Sequence, residues 1–150
     1  MKIVICGGGL VGSAIASHLS EEQNDVTVID DSAENIQRIT DQYDVHGVVG
    51  VASHPDRLAE AGVSDAELLI AVTESDEVNM VACQVSHTIF KTPVKIARIR
   101  SNAYLDPAFS ALYSAENLPI DHIISPEAEV SASISNQLRV PGAFLSLIHI

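Results

Sequence analysis

Eleven residues near the start of the chain, Lys2–Gly12 (KIVICGGGLVG), restrict what it can fold into more than any other stretch. Ile3–Cys6 is a short unbroken apolar run, the pattern of a strand buried on both faces of a parallel sheet. Three glycines end it, and from Val11 a helical period takes over, with Val11, Ala14, Ile15 and Leu19 on one face. Gly7, Gly9 and Gly12 satisfy G-x-G-x-x-G. The first glycine permits a tight turn, the second lets a phosphate approach the backbone, and the third lets helix pack closely on strand. The free N–H groups and positive dipole end of the helix then suit a pyrophosphate. The glycine pattern alone is a weak signal, but its context strengthens it. A strand precedes it, a helix follows, and Asp30 closes the next apolar run eighteen residues past Gly12. The motif points to a bound dinucleotide or nucleotide; the bland alternative is a turn that only packs helix on strand.

The rest of the chain is consistent with one globular domain of 150 residues, 47% of them hydrophobic. No apolar stretch approaches the ~20 residues of a membrane helix, so direct membrane insertion is not expected. Nor does the opening resemble a signal peptide, because its apolar run stops after four residues. Cys6 and Cys83 sit inside apolar patterns and read as buried, reduced thiols of a cytosolic protein. A net charge of −12 argues against nucleic acid as a partner, since binding phosphates along a strand needs a basic patch. The six histidines show no ligand spacing, and no metal site is expected.

Beyond the first helix, strands and helices alternate. Val26–Ile29 reads as a second strand, and Asp31 with Glu34 has capping-box spacing ahead of a helix whose apolar side is Ile36 and Ile39. Val45–Gly50 is a third strand; Pro55 opens a short helix with Leu58 and Ala61 inward and Gly62 closing it. Leu68–Val72 is a fourth strand. Ser75 or Asp76 caps a longer helix in which Val78, Val81, Ala82, Val85 and Ile89 repeat at helical spacing. Val94–Ile99 and Asp121–Ile124 supply a fifth and a sixth strand. The alternation predicts an α/β, Rossmann-like, doubly wound parallel sheet of about six strands. Ligands on such a sheet lie outside the carboxyl ends of the strands. A last helix is predicted after Ser125, with Val130, Ile134 and Leu138 as its apolar stripe; a partner subunit or its own sheet could cover that stripe.

At the strand ends, Asp30 is placed to accept hydrogen bonds from an adenosine ribose. No Arg or Lys follows until Arg38, which favours NAD or an adenine nucleotide over NADP. Gly50–Ser53 offers backbone amides to an adenine edge, Thr73 ends the fourth strand, and Arg98 and Arg100 alternate onto one side of the fifth. An arginine there can pair with ribose or pyrophosphate. No nucleophile elbow is present, and no tyrosine has a lysine four residues later.

Taken together, KIVICGGGLVG, VTVID, VVGVASHPDRLAEAGVSDAELLIAVTESDEVNMVACQ, KIARIR and LPIDHIISPE with VPGA resemble the TrkA-type regulatory subunits of Trk potassium uptake, with their KTN (potassium-conductance regulator) domain. The resemblance covers residues 1 to about 144. It implies a nucleotide-binding lobe that forms dimers and rings beneath a membrane potassium transporter. NAD or NADH is the implied ligand, with ATP or ADP in relatives. By position it implies a pyrophosphate loop of Gly7, Gly8, Gly9, Leu10 and Val11 ending at Gly12, a ribose acid at Asp30, an adenine edge at Val51 and Ala52, and a fifth-strand arginine at Arg98. Leu10 departs from the family, which often has a polar Gln, Glu or Arg there, and so NAD and ATP both stay open. Val51–Ala52 replaces a more polar pair, though backbone contacts would survive.

The expected organisation is a nucleotide-binding domain over 1–124, a crossover helix and linker over 125–144, and a scar over 145–150. LSLIHI is the translation of the transposon-adaptor sequence CTG TCT CTT ATA CAC ATC, so the natural chain is expected to continue past about Phe144. The expected function is a non-enzymatic cytoplasmic sensor of NAD(H) or adenine nucleotides, peripheral at the inner membrane face through its transporter partner. The alternative is the cofactor-binding half of an NAD-dependent oxidoreductase.

Overall fold

A computed structural model describes residues 1–125. Six strands form one parallel sheet: β1 (Lys2–Cys6), β2 (Asp25–Asp30), β3 (His46–Val49), β4 (Leu68–Ala71), β5 (Val94–Arg98) and β6 (His122–Ile124). Their spatial order is β3-β2-β1-β4-β5-β6, every neighbouring pair being parallel. The chain moves outward from β1 to β3, then returns to the other side of β1 as β4. The gap between β1 and β4 is therefore the topological switch point, where such sheets bind ligands.

Alternate residues of each strand feed two cores. One holds Ile3, Ile5, Val28 and Ile70 with helices α1 (Leu10–Glu21) and α2 (Ala33–Gln42). The other holds Val4, Cys6, Ile29 and Leu69 with α3 (Pro55–Glu60) and α4 (Asp76–Thr88). Strands covered on both sides need no polar face, which is why their sequences run apolar without a break. Burying Ile36 and Ile39 of α2 contributes roughly 1.5–3 kcal/mol each over leaving them exposed. Pro55 opens α3, Leu58 and Ala61 are buried, and Gly62 ends it at φ +83°, as expected.

The structure corrects three local expectations. Ser32, not Asp31, caps α2, its hydroxyl accepting from the Asn35 N–H at 3.2 Å. In α1 the buried positions are Gly12, Ile15, Ala16 and Leu19, so Ala16 takes the place expected for Ala14. The largest departure is α4, whose buried residues are Asn79, Met80, Ala82, Cys83 and Ser86. Of the apolar stripe expected there only Ala82 is buried, while Val81 and Ile89 are 48% and 55% exposed. Small and polar residues let this helix lie close on β4 and β5. Its apolar stripe turns aside, with Val78 and Val85 half-buried at the margin of the second core near Tyr104, Leu105 and Tyr113.

Those tyrosines belong to a segment the sequence reading left unassigned, α5 (Asn102–Leu105) followed by a 3-10 turn over Pro107–Tyr113. No described helix is long and apolar enough to cross a membrane. The expected helix bearing Val130, Ile134 and Leu138, and the 145–150 tail, lie outside the described residues.

Candidate nucleotide-binding cleft

Over the switch point, at the carboxyl ends of the strands, lies a cleft of about 600 Å³. It runs from Asp30, Asp31 and Asn35 on one side, past Gly7, Gly9, Leu10 and Val11, to Thr73, Ser75, Arg98 and Arg100 on the other. Val51 and Ala52 line it beyond β3. The structure thus brings nine of the eleven expected site residues to one opening. Gly8 lies behind the rim, joined to Asp30, and Gly12 is buried beneath the loop.

The loop is shaped by what side chains would not fit. Gly7 has φ +114°, and a Cβ there would meet the Val72 carbonyl group and the Thr73 nitrogen at 3.0 Å. At Gly12 the conflict is outright, because a Cβ would stand 1.8 Å from the Gly7 carbonyl oxygen. Around Gly9, by contrast, a Cβ would find nothing within 4 Å. Gly9 is the N-cap of α1, and no side chain caps that helix. An open glycine, an uncapped N-terminus and the dipole's positive end make a cradle that fits a phosphate group.

Asp30 is held from three directions. One carboxylate oxygen accepts the Gly8 N–H at 2.8 Å; the other accepts the Ser32 N–H at 2.9 Å and the Asn35 side-chain amide at 3.2 Å. Its lone pairs number about four, so room remains for a hydroxyl donor. Arg38, which the sequence places far along α2, reaches back to donate to the Gly8 carbonyl at 3.3 Å.

The opposite lip is built differently. Arg98 leaves β5 with a guanidinium that makes no hydrogen bond or ion pair with the described residues. Burial first, and then the neighbouring Arg100, hold its pKa below the usual arginine value. An unpaired cation already paying for desolvation is suited to an anionic ligand. Arg100 donates to the Glu74 carbonyl at 2.6 Å. Two supporting residues carry no mark in the apolar sequence pattern, Asn35 behind Asp30 and the fully buried Asn79; Asp76, expected as an alternative cap to Ser75, instead accepts the Arg100 and Ser101 N–H groups. A signal existed for Asn79. Asparagine is a poor residue for a helix interior, and one there requires a tertiary partner.

The TrkA-N domain family model matches residues 3–126. The Trk system potassium uptake protein TrkA of Azorhizobium caulinodans is 55% identical over 143 residues, which are 95% of this chain and 31% of that protein. The chain thus spans about a third of the length of such relatives. Among solved structures, the TrkA-N domain of the inner membrane protein ybaL from Escherichia coli superposes with a TM-score of 0.72 at 18% identity, covering 91% of this chain and 96% of that one. The GsuK channel bound to NAD gives 0.67 at 17% identity over 91% of this chain and 23% of that one. The same channel bound to ADP gives 0.68 at 16% identity, over 89% and 33%. At such identities these structures speak for the fold alone. With the fold, the cleft and the family match in agreement, the chain belongs to the TrkA-N domain family.

Proposed function

We propose that this chain is the nucleotide-binding lobe of a cytoplasmic regulatory subunit that binds NAD(H) and gates a membrane potassium transporter. The observation that carries the reading is one unbroken cleft with a phosphate cradle at its centre, a carboxylate at one end and an unpaired guanidinium at the other. A dinucleotide complements that order of groups, with ribose hydroxyls to donate to the carboxylate and a diphosphate for the cradle and the guanidinium. In this reading Gly7–Val11 hold the pyrophosphate and Asp30 takes the adenosine ribose. Val51 and Ala52 border the adenine, Thr73 meets the distal ribosyl unit, and Arg98 reaches the distal side of the pyrophosphate. ADP and ATP would fill the near half only. A 2′-phosphate would be set against the Asp30 carboxylate, which disfavours NADP.

No bond need be made or broken for such a lobe to work. A ligand that prefers one arrangement of the assembly over another shifts the balance by its differential affinity. The names of the relatives, Trk system potassium uptake proteins, support a part in potassium uptake and a transporter partner. We assign the lobe to 1–124, a crossover and linker to 125–144, and a non-native scar to 145–150. The spacing of Val130, Ile134 and Leu138 supports a homo-oligomer, a dimer or ring, which light scattering on the wild type and on an Ile134→Glu/Leu138→Glu variant would test. Calorimetry with NADH, NAD, ADP, ATP and NADPH tests the ligand. NADH should bind and NADPH should bind at least about tenfold more weakly. Absence of heat with every nucleotide would overturn the reading, and steady oxidation of added NADH would favour the oxidoreductase alternative.

A further inference from the structure

We propose that Asn79 is a positioning residue of the cleft, holding Thr73 and Arg98 at the separation a bound nucleotide needs. The inference rests on the nucleotide-binding reading above and adds a residue that does not touch the ligand. The β4–β5 ladder stops at the Ala71–Ala97 pair. Beyond it, Thr73, two residues past the end of β4, and Arg98, the last residue of β5, line the distal lip of the cleft. The Asn79 side chain joins the two. Its Oδ1 accepts from the Thr73 N–H at 2.9 Å and the Thr73 hydroxyl at 2.7 Å. Its Nδ2 donates to the Thr73 carbonyl at 3.1 Å and the Arg98 carbonyl at 2.8 Å. Every hydrogen-bonding position of the amide is used, and the group is fully buried. The Thr73 N–H can only donate and the Arg98 carbonyl can only accept, so the orientation of the amide is settled by its partners.

Nothing about packing demands this arrangement. Ala82, Cys83 and Ser86 on the same helix already provide close contact with the sheet, and a leucine would fill a similar volume without burying four polar positions. What an apolar residue could not do is fix two separate main-chain segments against each other. Asp76, one helical turn earlier, makes a parallel link to the Arg100 and Ser101 N–H groups at 3.0 and 2.8 Å. The first turns of α4 thus grip the exit of β5 at two points, at the Arg98 carbonyl itself and at the two N–H groups just past it. A charged guanidinium that has no other tether depends on its backbone for its position.

The test is a double-mutant cycle on the 150-residue chain, with NADH affinity read by calorimetry and by emission of the bound reduced ring. Arg98→Gln alone should weaken binding by about tenfold, the scale of a lost charge-assisted bond. Asn79→Leu alone should weaken it at least as much. On the Asn79→Leu background, Arg98→Gln should then cost less than about twofold, because the guanidinium is no longer placed to be lost. A merely structural role predicts additive losses, and additivity would overturn the proposal. If Asn79→Leu fails to fold, NMR on the unmodified chain decides. Adding NADH should shift the Asn79 side-chain amide signals together with the Arg98 guanidinium and slow their exchange. A guanidinium that responds while the Asn79 amide stays unchanged would overturn the proposal. Absence of NADH binding by the wild type would instead be the failure of the nucleotide reading itself, and would be seen before any variant is made.

Discussion

The two sides of the cleft reach similar precision by opposite means. On the β1–β2 side the parts are local and mostly main chain. Glycines clear the space, the start of α1 supplies N–H groups, and Asp30 is tied to Gly8, Ser32 and Asn35 within one turn of its own chain or the adjoining loop. On the β4–β5 side the parts are side chains brought from a distance. Asn79 and Asp76 bridge nineteen and twenty-four residues to fix the exit of β5. The lesson is that a site can be half motif and half tertiary structure, and that the two halves fail differently. Damage to the glycine side should act on folding or phosphate access, all or none. Damage to the side-chain side should act by degrees, as misplacement.

The largest expected effect separates two glycines three residues apart. Gly12→Val forces a Cβ against the Gly7 carbonyl and should destabilise the fold by more than the ~1–3 kcal/mol of ordinary overpacking, measured by chemical denaturation. Gly9→Val meets open space and should unfold at the wild-type denaturant midpoint, yet lose nucleotide binding because the branched side chain fills the phosphate's approach. A Gly9→Val chain that binds NADH normally would remove the loop from the site.

Asp30→Ala comes next, weakening NADH or ADP by about 1–3 kcal/mol in calorimetry, the cost of leaving a buried polar partner unpaired. Unchanged affinity would remove Asp30. On the other lip, Arg98 offers a graded counterpart. Raising salt from low to moderate ionic strength should weaken nucleotide binding in the wild type, and Arg98→Gln should flatten that dependence, since it deletes one partly exposed charge. An unaltered salt response would mean the guanidinium does not meet the ligand's phosphates.

The smallest effect concerns the core beneath the distal lip. Burial pushes the Cys6 thiol up to about 12 and raises Cys83 as well. Both are free, buried and protonated near neutrality, so thiol-alkylating reagents at pH 8 should leave them unlabelled in the native state and label both once denatured. Rapid native labelling of Cys83 would show that α4 lifts from the sheet, and would break the picture of a rigid support behind Arg98.

Much was legible in the residues because the signals involved are short-range. A buried strand announces itself as an apolar run, a glycine turn by the absence of side chains, and a proline at a helix start by its missing N–H. Those rules sufficed for the six parallel strands, the glycine turn between β1 and α1, the place of Asp30 at the end of β2 and the identity of the strand-end residues. The capping error at Asp31 arose because two adjacent residues could both cap, and the Asp30 carboxylate, by taking the Ser32 N–H, selects the second.

What only the tertiary structure decided is which surface of α4 faces inward. Val78, Val81, Val85 and Ile89 have the right period, but periodicity records where apolar residues lie, not what comes to cover them. The sheet took the face with Asn79, Ala82, Cys83 and Ser86 instead, because small residues permit close approach and one amide there could satisfy four main-chain and side-chain partners. The sequence by itself determined the six strands, the helices that connect the first five of them and the glycine side of the cleft, whose bonds are local. The far half depends on bonds between residues far apart in the chain, whose pairing is settled only when the strands and helices have packed.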